Sequence, residues 1–560
     1  MNEISLDDAH PSPSAADSSG APWESAGDHL ADLMDFVVAS PSSYHAAAEV
    51  ARRLEAAGAT RVDETEAWPS APGAYVLVRG GAAVAWLVPE GVGGTEAGAA
   101  ESAAFRIVGS HTDSPGFRVK PNPDTGAAGY AQVAVEVYGG ALLGAWTDRE
   151  IEFAGRVVTR DGRAHLARTG PVARIPQLAI HLNRAVNDQG LKLDKQLHTT
   201  PVIGYSGDAR AFTRMLADAV NRGAANADGA DGAPEGAEVT AEDLVAWDLI
   251  TCDTQPPRPF GVADEFLACG RLDNLLSVHA SLVAFEQLLH DGPSAASATA
   301  ADDGVADIPV FVAFDHEEVG SASTTGAAGP LLEDVLRRIA AAAGADEDGL
   351  QRMFRRSTCI SADGAHAVHP NYAGEHEPGH WPLLDGGPVL KINANQRYAT
   401  DAVGQGMFER VAAAAGAAAG ETIPVQYFVS SNQKPCGSTI GPITATRLGI
   451  ATVDVGAAML SMHSPREMCG VKDPWWLARI IGAYWAGAEF GPATSVATAT
   501  STGTARTAPR RRHDRAPVRP GGGGTVTRPP NSVGITAMRP HGGRRKATPA
   551  VPASRQGPAT

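Results

Sequence analysis

Six stretches of the sequence are near-continuous runs of apolar residues, each about as long as one β-strand. They occupy residues 105–110, 308–314, 357–362, 388–393, 424–429 and 450–455. Runs of this kind are typical of strands buried on both faces, as in a parallel sheet covered by helices. Helical spacings of apolar residues lie between or after them, at residues 273–290, 331–343 and 475–490. The alternation predicts an α/β fold with a mixed, mostly parallel sheet flanked by helices.

Residues 130–203 follow a different pattern, because apolar and polar residues alternate there without a long helical spacing. Alternation with a period of two indicates strands with one buried and one exposed face. We therefore expect an inserted, mostly β second domain at residues 112–252. It would interrupt an α/β catalytic domain made of residues 26–111 and 253–490.

The two ends of the chain and three internal segments are predicted to lie outside the folded core. Residues 1–25 are rich in Ser, Pro and Asp, which predicts a flexible N-terminus. Residues 491–560 carry a net charge of +11 and few large apolar residues, which predicts a disordered basic tail. Its Arg clusters could bind RNA or an acidic surface, but we favour a neutral extension. Three segments of small and polar residues are predicted surface loops: 89–102, 222–239 and 291–307.

Charge and cysteine usage exclude several classes of protein. The formal net charge is −17, so binding of nucleic acid by bulk electrostatics is not expected. The five cysteines form no CxxC pair, which argues against a disulfide framework or a cysteine-based zinc site. We find no secretory signal in the first 25 residues and no apolar run long enough for a bilayer. These features predict a cytoplasmic protein without a membrane partner.

Acidic residues and histidines follow several of the apolar runs, where each strand would end. In open α/β sheets, ligands gather at the carboxyl ends of the strands. The candidates are His111, Asp113, Glu317, Glu318 and Asp363, together with His463 in a loop and Asp273 at a helix start. Two histidines and a set of carboxylates, with no cysteine, suit Zn²⁺, Mn²⁺ or Co²⁺.

Each of these residues taken alone has a simpler interpretation. Asp273 could be only the N-cap of a helix, and Glu317 and Glu318 could be an exposed acidic pair. However, unpaired carboxylates at the end of a buried strand are costly. A bound cation would remove that cost for Glu317, Glu318 and Asp363 together, so the set as a whole favours a metal site.

Six motifs, in order, resemble the aspartyl aminopeptidases of the M18 metallopeptidase family. They are GSHTDSPGFRVKPNP from residue 109, GRLDNL from 270, DHEEVGS from 315, ISADGAHAVHPNY from 360, KINANQRYAT from 391 and MHSPREM from 462. The resemblance spans roughly residues 30–490. It implies a zinc-peptidase-like fold and an enzyme that removes N-terminal Asp or Glu from peptides.

The resemblance also assigns metal ligands. His111 and Asp363 would hold one divalent ion, Glu318 and His463 a second ion, and Asp273 would bridge the two. Zinc is the expected metal, with Co²⁺ or Mn²⁺ as alternatives, since all three accept these ligands.

Two further residues receive catalytic roles from the resemblance. Asp113 would accept the second ring N–H of His111 and so fix the tautomer of that histidine. Glu317 would be the general base. If the strand persists through these residues, Glu317 and Glu318 point to opposite faces, and only Glu318 faces a metal.

Substrate-binding residues are implied as well. His366, Lys391 and Tyr398 match residues that line the family's pocket, and Lys391 suits an acidic substrate side chain. His181 matches a histidine that reaches from the β-rich domain into a neighbouring subunit's site. A large homo-oligomer, specifically a dodecamer, would then be needed for complete sites. Without the match, His181 would be interpreted as a buried structural histidine.

Alternative functions stay open at this point. The metal residues alone do not separate an acidic-residue aminopeptidase from a dinuclear aminopeptidase or deacylase of another specificity. A catalytically idle scaffold is a third possibility. The presence of every matched ligand and of Glu317 argues against that scaffold.

Overall fold

The computed structural model describes residues 23–92, 103–227, 238–292 and 306–487. The predicted basic tail, the predicted flexible N-terminus up to residue 22, and most of the three predicted loops lie outside these ranges. Trp23 is inside them and packs against the main hydrophobic core.

The described residues contain twenty strands, which we number in chain order. They are β1 (Thr60–Arg61), β2 (Gly73–Arg79), β3 (Ala82–Val88), β4 (Phe105–His111), β5 (Gly116–Ala127), β6 (Tyr130–Tyr138), β7 (Ile151–Thr159), β8 (Ala164–Arg168), β9 (Val202–Tyr205), β10 (Leu244–Asp253), β11 (Arg258–Phe260), β12 (Phe266–Cys269), β13 (Ile308–Phe314), β14 (Thr358–Ala362), β15 (Ala365–His366), β16 (Val389–Ile392), β17 (Gln426–Val429), β18 (Ala451–Gly456), β19 (Ala458–Leu460) and β20 (Glu467–Gly470).

Helices connect these strands and include all three that the apolar spacing predicts, within a few residues at each end. The α-helices of the described chain are Ala26–Ala39, Ser43–Ala56, Val186–Gln189, Ala211–Ala227, Leu272–Asp291, Leu331–Ala342, Glu347–Arg356, Ala402–Ala419, Ile440–Leu448 and Asp473–Ala486. Short 3-10 turns occur at Leu143–Trp146, Glu317–Val319 and Ala373–Glu375. Among these described helices, none has the length and apolar character that crossing a bilayer requires.

The largest sheet in the described part of the chain has nine strands, in the order β1-β2-β3-β13-β4-β14-β18-β16-β17. Strands β13, β4, β14 and β18 are adjacent and parallel. The pairs β2–β3, β3–β13 and β16–β18 are antiparallel. This arrangement confirms the predicted mixed, mostly parallel sheet.

Both faces of this sheet are covered by helices, which explains the near-continuous apolar runs. Along β4, Val108 packs into a core shared with helix Leu272–Asp291. The preceding residue, Ile107, packs on the other face with helix Leu331–Ala342. Successive side chains of a strand point to opposite faces, so a strand buried on both sides must be apolar at almost every position.

A second sheet is formed entirely by strands from residues 116–253. Its order within the described chain is β8-β7-β10-β5-β6-β9, and every neighbouring pair is antiparallel. Phe153 of this sheet packs against Phe212 of helix Ala211–Ala227, and Phe117 belongs to the same hydrophobic cluster. This is the mostly β second layer expected from the alternating pattern, and its boundaries as a domain stay a prediction.

One predicted loop is partly wrong. Residues 222–227 were expected to belong to a surface loop, but they are the last residues of helix Ala211–Ala227. The apolar residues Phe212, Leu216 and Val220 anchor the earlier turns of this helix on the six-stranded sheet. Because nucleation is the costly step and Ala has a high helix propensity, the Ala-rich end continues the helix.

The third sheet of the described chain lies beside the strand ends that carry the candidate residues. It has five strands, in the order β11-β12-β20-β19-β15. It brings the segment before Asp273, at the end of β12, next to Glu467 at the start of β20, because Cys269 pairs with Glu467.

Candidate metal centre

The carboxyl ends of three parallel strands meet at one edge of the nine-stranded sheet. In the register of β13 with β4, Phe314 lies opposite His111, and in that of β14 with β4, Ser361 lies opposite Gly109. Residues that follow β13 and β14 therefore reach the level of His111. The structure brings Asp363 and the 315–318 segment together with His111, as the strand-end pattern predicts.

The prediction that Glu317 and Glu318 diverge because a strand persists is wrong. Strand β13 ends at Phe314, His316 has a positive φ of 64°, and Glu317–Val319 is a 3-10 turn. The turn itself separates the carboxylates. Glu317 Oε2 lies 3.9 Å from His111 Nε2, whereas Glu318 Oε2 lies 3.4 Å from His463 Nε2.

Asp113 holds this turn in place. Its Oδ1 accepts a hydrogen bond from the Glu317 N–H at 3.0 Å, and its Oδ2 accepts one from the Glu318 N–H at 3.1 Å. Burial opposes ionisation of Asp113, but hydrogen bonds from His111 and Tyr138 outweigh it and keep its pKa below the ordinary value. Asp113 is therefore an anionic acceptor at the back of the site.

Asp273 faces both histidines and does not cap a helix. Helix Leu272–Asp291 is irregular at its start, and Arg271 occupies the N-cap position with a φ of 59°. The Asp273 side chain is buried, with Oδ1 3.4 Å from His111 Nε2 and Oδ2 3.5 Å from His463 Nε2. Each oxygen of the Asp273 carboxylate thus points to a different histidine, so the interpretation of Asp273 as only a helix N-cap is wrong.

Three groups of possible metal ligands result, all within the part of the chain that the structure describes. Each has ligand atoms within 4.8 Å of one another. They are His111, Asp273 and Asp363; Asp273, Glu318 and His463; and His111, Glu317 and Glu318. The first two groups share Asp273.

The electrostatics of these residues fit divalent cations. Burial is the main cause that raises the pKa of Glu317 to about 8, and the charges of Asp363 and Asp273 add to it. Burial and the charge of Asp273 raise the pKa of Glu318 well above its ordinary value. Asp273 Oδ1 and Glu318 Oε1 are buried and accept no hydrogen bond from the described residues. Carboxylate oxygens and imidazole nitrogens in this arrangement are a donor set that Zn²⁺ accepts.

Both histidines turn the same ring nitrogen toward the centre. His111 Nδ1 lies 3.1 Å from the Asp113 carbonyl oxygen and 3.3 Å from Asp113 Oδ1. His463 Nδ1 lies 3.2 Å from the Gly140 carbonyl oxygen. Donation of the Nδ1–H to these acceptors leaves Nε2 of each neutral ring free to bind a cation.

The sequence model of the family described as "Aminopeptidase I zinc metalloprotease (M18)" matches residues 36–484. The chain belongs to the M18 family. This confirms the resemblance carried by the six motifs and identifies the protein as a metalloaminopeptidase.

Individual relatives and solved structures each match about four fifths of this chain. A protein of Streptomyces avermitilis named "Probable M18 family aminopeptidase 2" is 48% identical over 460 residues, which cover 82% of this chain and 98% of the relative. A structure of an Ape4–Nbr1 complex matches with a TM-score of 0.73 and 33% identity, covering 82% of this chain and 86% of that chain. The mApe1 dodecamer of S. cerevisiae matches with a TM-score of 0.66 and 25% identity, covering 82% and 97%. The α/β fold class is thereby confirmed.

Of the four predicted substrate residues of this M18 chain, Lys391 lies beside the candidate ligand Asp363, and Tyr398 lies beside Lys391. Lys391 is only 2% exposed, and its Nζ donates to the Gly364 carbonyl oxygen at 2.8 Å. The same Nζ lies 3.8 Å from Asp363 Oδ1 and 5.4 Å from the centre of the Tyr398 ring. His366 and Tyr398 line a cavity next to this group. A buried ammonium group thus stands beside a candidate metal ligand.

His181 is exposed, so the alternative of a buried structural histidine is wrong. It lies in the segment between β8 and β9 and belongs to none of the three ligand groups. Its apolar neighbours are exposed as well: Ile180 by 46% and Leu182 by 75%.

Two residues of this M18 site escaped the sequence analysis. Glu467 is 2% exposed and accepts hydrogen bonds from the N–H groups of Asp273, at 3.0 Å, and His463, at 2.7 Å. Tyr138 donates its hydroxyl to Asp113 Oδ2 at 2.8 Å. Tyr138 ends strand β6 of the antiparallel sheet and is neither an acid nor a histidine, so the strand-end criterion could not find it.

Proposed function

We propose that this chain removes N-terminal Asp and Glu residues from peptides at a centre of two divalent metal ions, most simply zinc. The observation that carries the proposal is the position of Asp273. Its two carboxylate oxygens point to His111 and His463, and it belongs to two of the ligand groups. Under this proposal His111 and Asp363 complete one metal site, and Glu318 and His463 complete the other.

Bound divalent ions would supply Lewis acidity and lower the pKa of a water molecule. The chain's own contribution is proton transfer and orientation. Glu317 belongs to the third ligand group but not to the two groups that share Asp273. Burial raises its pKa, so this carboxylate holds a proton taken from water more readily than an exposed one and can return it to the leaving amine. Asp113 orients His111 and holds the backbone of Glu317, so it sets the position of the general base.

Support for an acidic substrate comes from Lys391. A buried cation close to the centre attracts a carboxylate strongly because the local dielectric constant is low. Lys391 has the carboxylate of Asp363 at 3.8 Å, and a cation bound by Asp363 would weaken that attraction and leave the ammonium group for a substrate. His366 and Tyr398 line the adjoining cavity, where the substrate side chain would lie.

Hydrolysis of Asp-, Glu-, Leu- and Ala-chromogenic amides tests this specificity. We expect the highest kcat/KM for Asp and Glu. Lys391→Met should lower kcat/KM for Asp and Glu relative to Leu by roughly 30-fold or more, since breaking a buried charge pair costs about 2–5 kcal/mol. Steady-state kinetics with the four amides measures this ratio.

The matched control is Lys472→Met, which changes an exposed lysine and should leave all four values unchanged. A wild-type preference for Leu would instead favour a dinuclear aminopeptidase of another specificity, and absence of hydrolysis would favour an idle scaffold. An equal loss on all four amides in Lys391→Met would show that Lys391 supports Asp363 and does not select the substrate.

We further propose that the protein assembles into a homo-oligomer, specifically a dodecamer, in which His181 completes a neighbouring subunit's site. The support is the exposed apolar group around His181, consisting of Leu178, Ile180 and Leu182. Exposed apolar side chains in a cluster are typical of protein interfaces. A dodecamer is also the described state of mApe1 from S. cerevisiae, whose fold this chain shares. Cytoplasmic location stays a prediction from the sequence.

Co-expression of two inactive variants tests the shared site. His181→Ala and Glu317→Gln should each be inactive alone, because one lacks the donated histidine and the other the base. In random mixed oligomers, about a quarter of the sites would combine Glu317 of one subunit with His181 of a neighbour, so roughly a quarter of wild-type activity should return. Activity per purified oligomer, with mass by light scattering, measures this recovery.

Co-expression of Glu317→Gln with Asp273→Asn is the control. Each of these residues belongs to its own subunit's site, so mixing the two variants should restore no activity. Full activity of His181→Ala alone, or a monomeric wild-type protein with full activity, would contradict the shared site.

A further inference from the structure

Residues 138–142, with the sequence YGGAL, lie against the candidate metal centre, and we call them the 138–142 strap. The strap starts at the last residue of β6 and ends before the 3-10 turn Leu143–Trp146. Strand β6 belongs to the six-stranded sheet, whereas His111 and the 315–318 segment belong to the edge of the nine-stranded sheet. The strap therefore continues from the six-stranded sheet and lies against residues at the edge of the nine-stranded sheet.

The strap forms two hydrogen bonds with His463. The Leu142 N–H donates to the His463 carbonyl oxygen at 3.1 Å. The Gly140 carbonyl oxygen accepts from His463 Nδ1 at 3.2 Å. His463 has a positive φ of 68°, which few non-glycine residues adopt without support. These bonds fix both the backbone and the ring of this residue.

The strap also touches the opposite wall of the centre. The Tyr138 hydroxyl donates to Asp113 Oδ2, the oxygen that accepts the Glu318 N–H. Gly139 lies so close to Glu318 that an added Cβ would be 3.1 Å from Glu318 Cβ and 3.2 Å from its carbonyl oxygen. Gly139 has a φ of 67°, so a side chain there would also strain the backbone.

We propose that the 138–142 strap is a positioning element of the metal centre, through which the six-stranded sheet sets the orientation of His463, Asp113 and Glu318. The inference rests on the proposed metal centre. It assigns to the second sheet a role inside its own subunit, separate from any contact with other subunits. Partners that orient metal ligands typically change metal affinity by about 10- to 100-fold when they are removed.

Two substitutions remove single hydrogen bonds of the strap. Tyr138→Phe removes the hydroxyl that donates to Asp113, and its control is Tyr130→Phe at the exposed start of the same strand. Leu142→Pro removes the N–H that donates to His463, and the φ of Leu142, −74°, is one that proline adopts. Its control is Leu142→Ala, which keeps the N–H and shortens a side chain that is 48% exposed.

The readout is metal binding by the full chain. The apparent Zn²⁺ Kd is measured by competition with a chromophoric chelator, and the Co²⁺-substituted protein is examined by visible absorption. Tyr138→Phe and Leu142→Pro should each weaken Zn²⁺ binding by about 10- to 100-fold and alter the Co²⁺ bands. Tyr130→Phe and Leu142→Ala should match the wild type. Thermal unfolding of the metal-free proteins verifies that each variant is folded.

Wild-type Zn²⁺ affinity and wild-type Co²⁺ bands in folded Tyr138→Phe and Leu142→Pro would overturn the role of the strap. Should one of these variants not fold, the other decides by the same criterion. A wild-type chain that binds no Zn²⁺ or Co²⁺ would instead contradict the proposed function itself. Equal weakening in Leu142→Pro and Leu142→Ala would assign the effect to the side chain and would also overturn the proposal.

Discussion

Glu317→Gln should reduce kcat by roughly 10²- to 10⁴-fold, the range that general acid–base catalysis contributes, and leave metal content unchanged. Glutamine has the size of glutamate but takes no proton from water at neutral pH. The Glu317 N–H still donates to Asp113, so the turn keeps its backbone contacts. Kinetics on the best amide substrate, together with metal analysis of the same sample, measures both quantities.

The neighbouring residue supplies the contrast. Glu318→Gln changes a proposed ligand and should lower metal content as well as activity. Glu347→Gln, which changes an exposed residue at the start of helix Glu347–Arg356, should change neither. Full turnover by Glu317→Gln would show that Glu317 is not the base. Loss of metal in that variant would show that Glu317 is a metal ligand, in agreement with its membership of the third ligand group.

Asp273→Asn should lose most of both metal ions and at least as much activity as Glu317→Gln. An amide offers one oxygen, whereas the Asp273 carboxylate turns one oxygen to each histidine. The amide also lacks the negative charge that offsets two cations in a buried site. Metal content after dialysis is expected to fall from two ions per chain toward none.

Two other aspartates make this test specific. Asp363→Asn should lose only the ion held with His111 and keep the other. Asp291→Asn, at the exposed end of the same helix as Asp273, should keep both. Retention of two ions by Asp273→Asn would contradict the bridging role and with it the dinuclear proposal.

The α/β fold and the meeting of His111, Asp363 and the 315–318 segment could be predicted because both depend on local patterns. Apolar runs of strand length mark the buried strands, and parallel strands bring their carboxyl ends to one edge. Family membership was equally accessible, since it is carried by residues in sequence order. The geometry of Glu317 and Glu318 could not be predicted from the sequence. A 3-10 turn and a strand differ in backbone angles, and the DHEEVGS motif does not specify those angles.

The sequence by itself determined which strands are buried, which acids and histidines stand at their ends, and to which family the chain belongs. Only the tertiary structure decided what supports those residues. Tyr138 reaches Asp113 across 25 positions, and Glu467 reaches Asp273 across 194. Such contacts depend on how three sheets pack against one another. No periodicity or local propensity predicts these contacts. Such patterns describe one helix or strand at a time, whereas each of these hydrogen bonds joins two different segments of the chain.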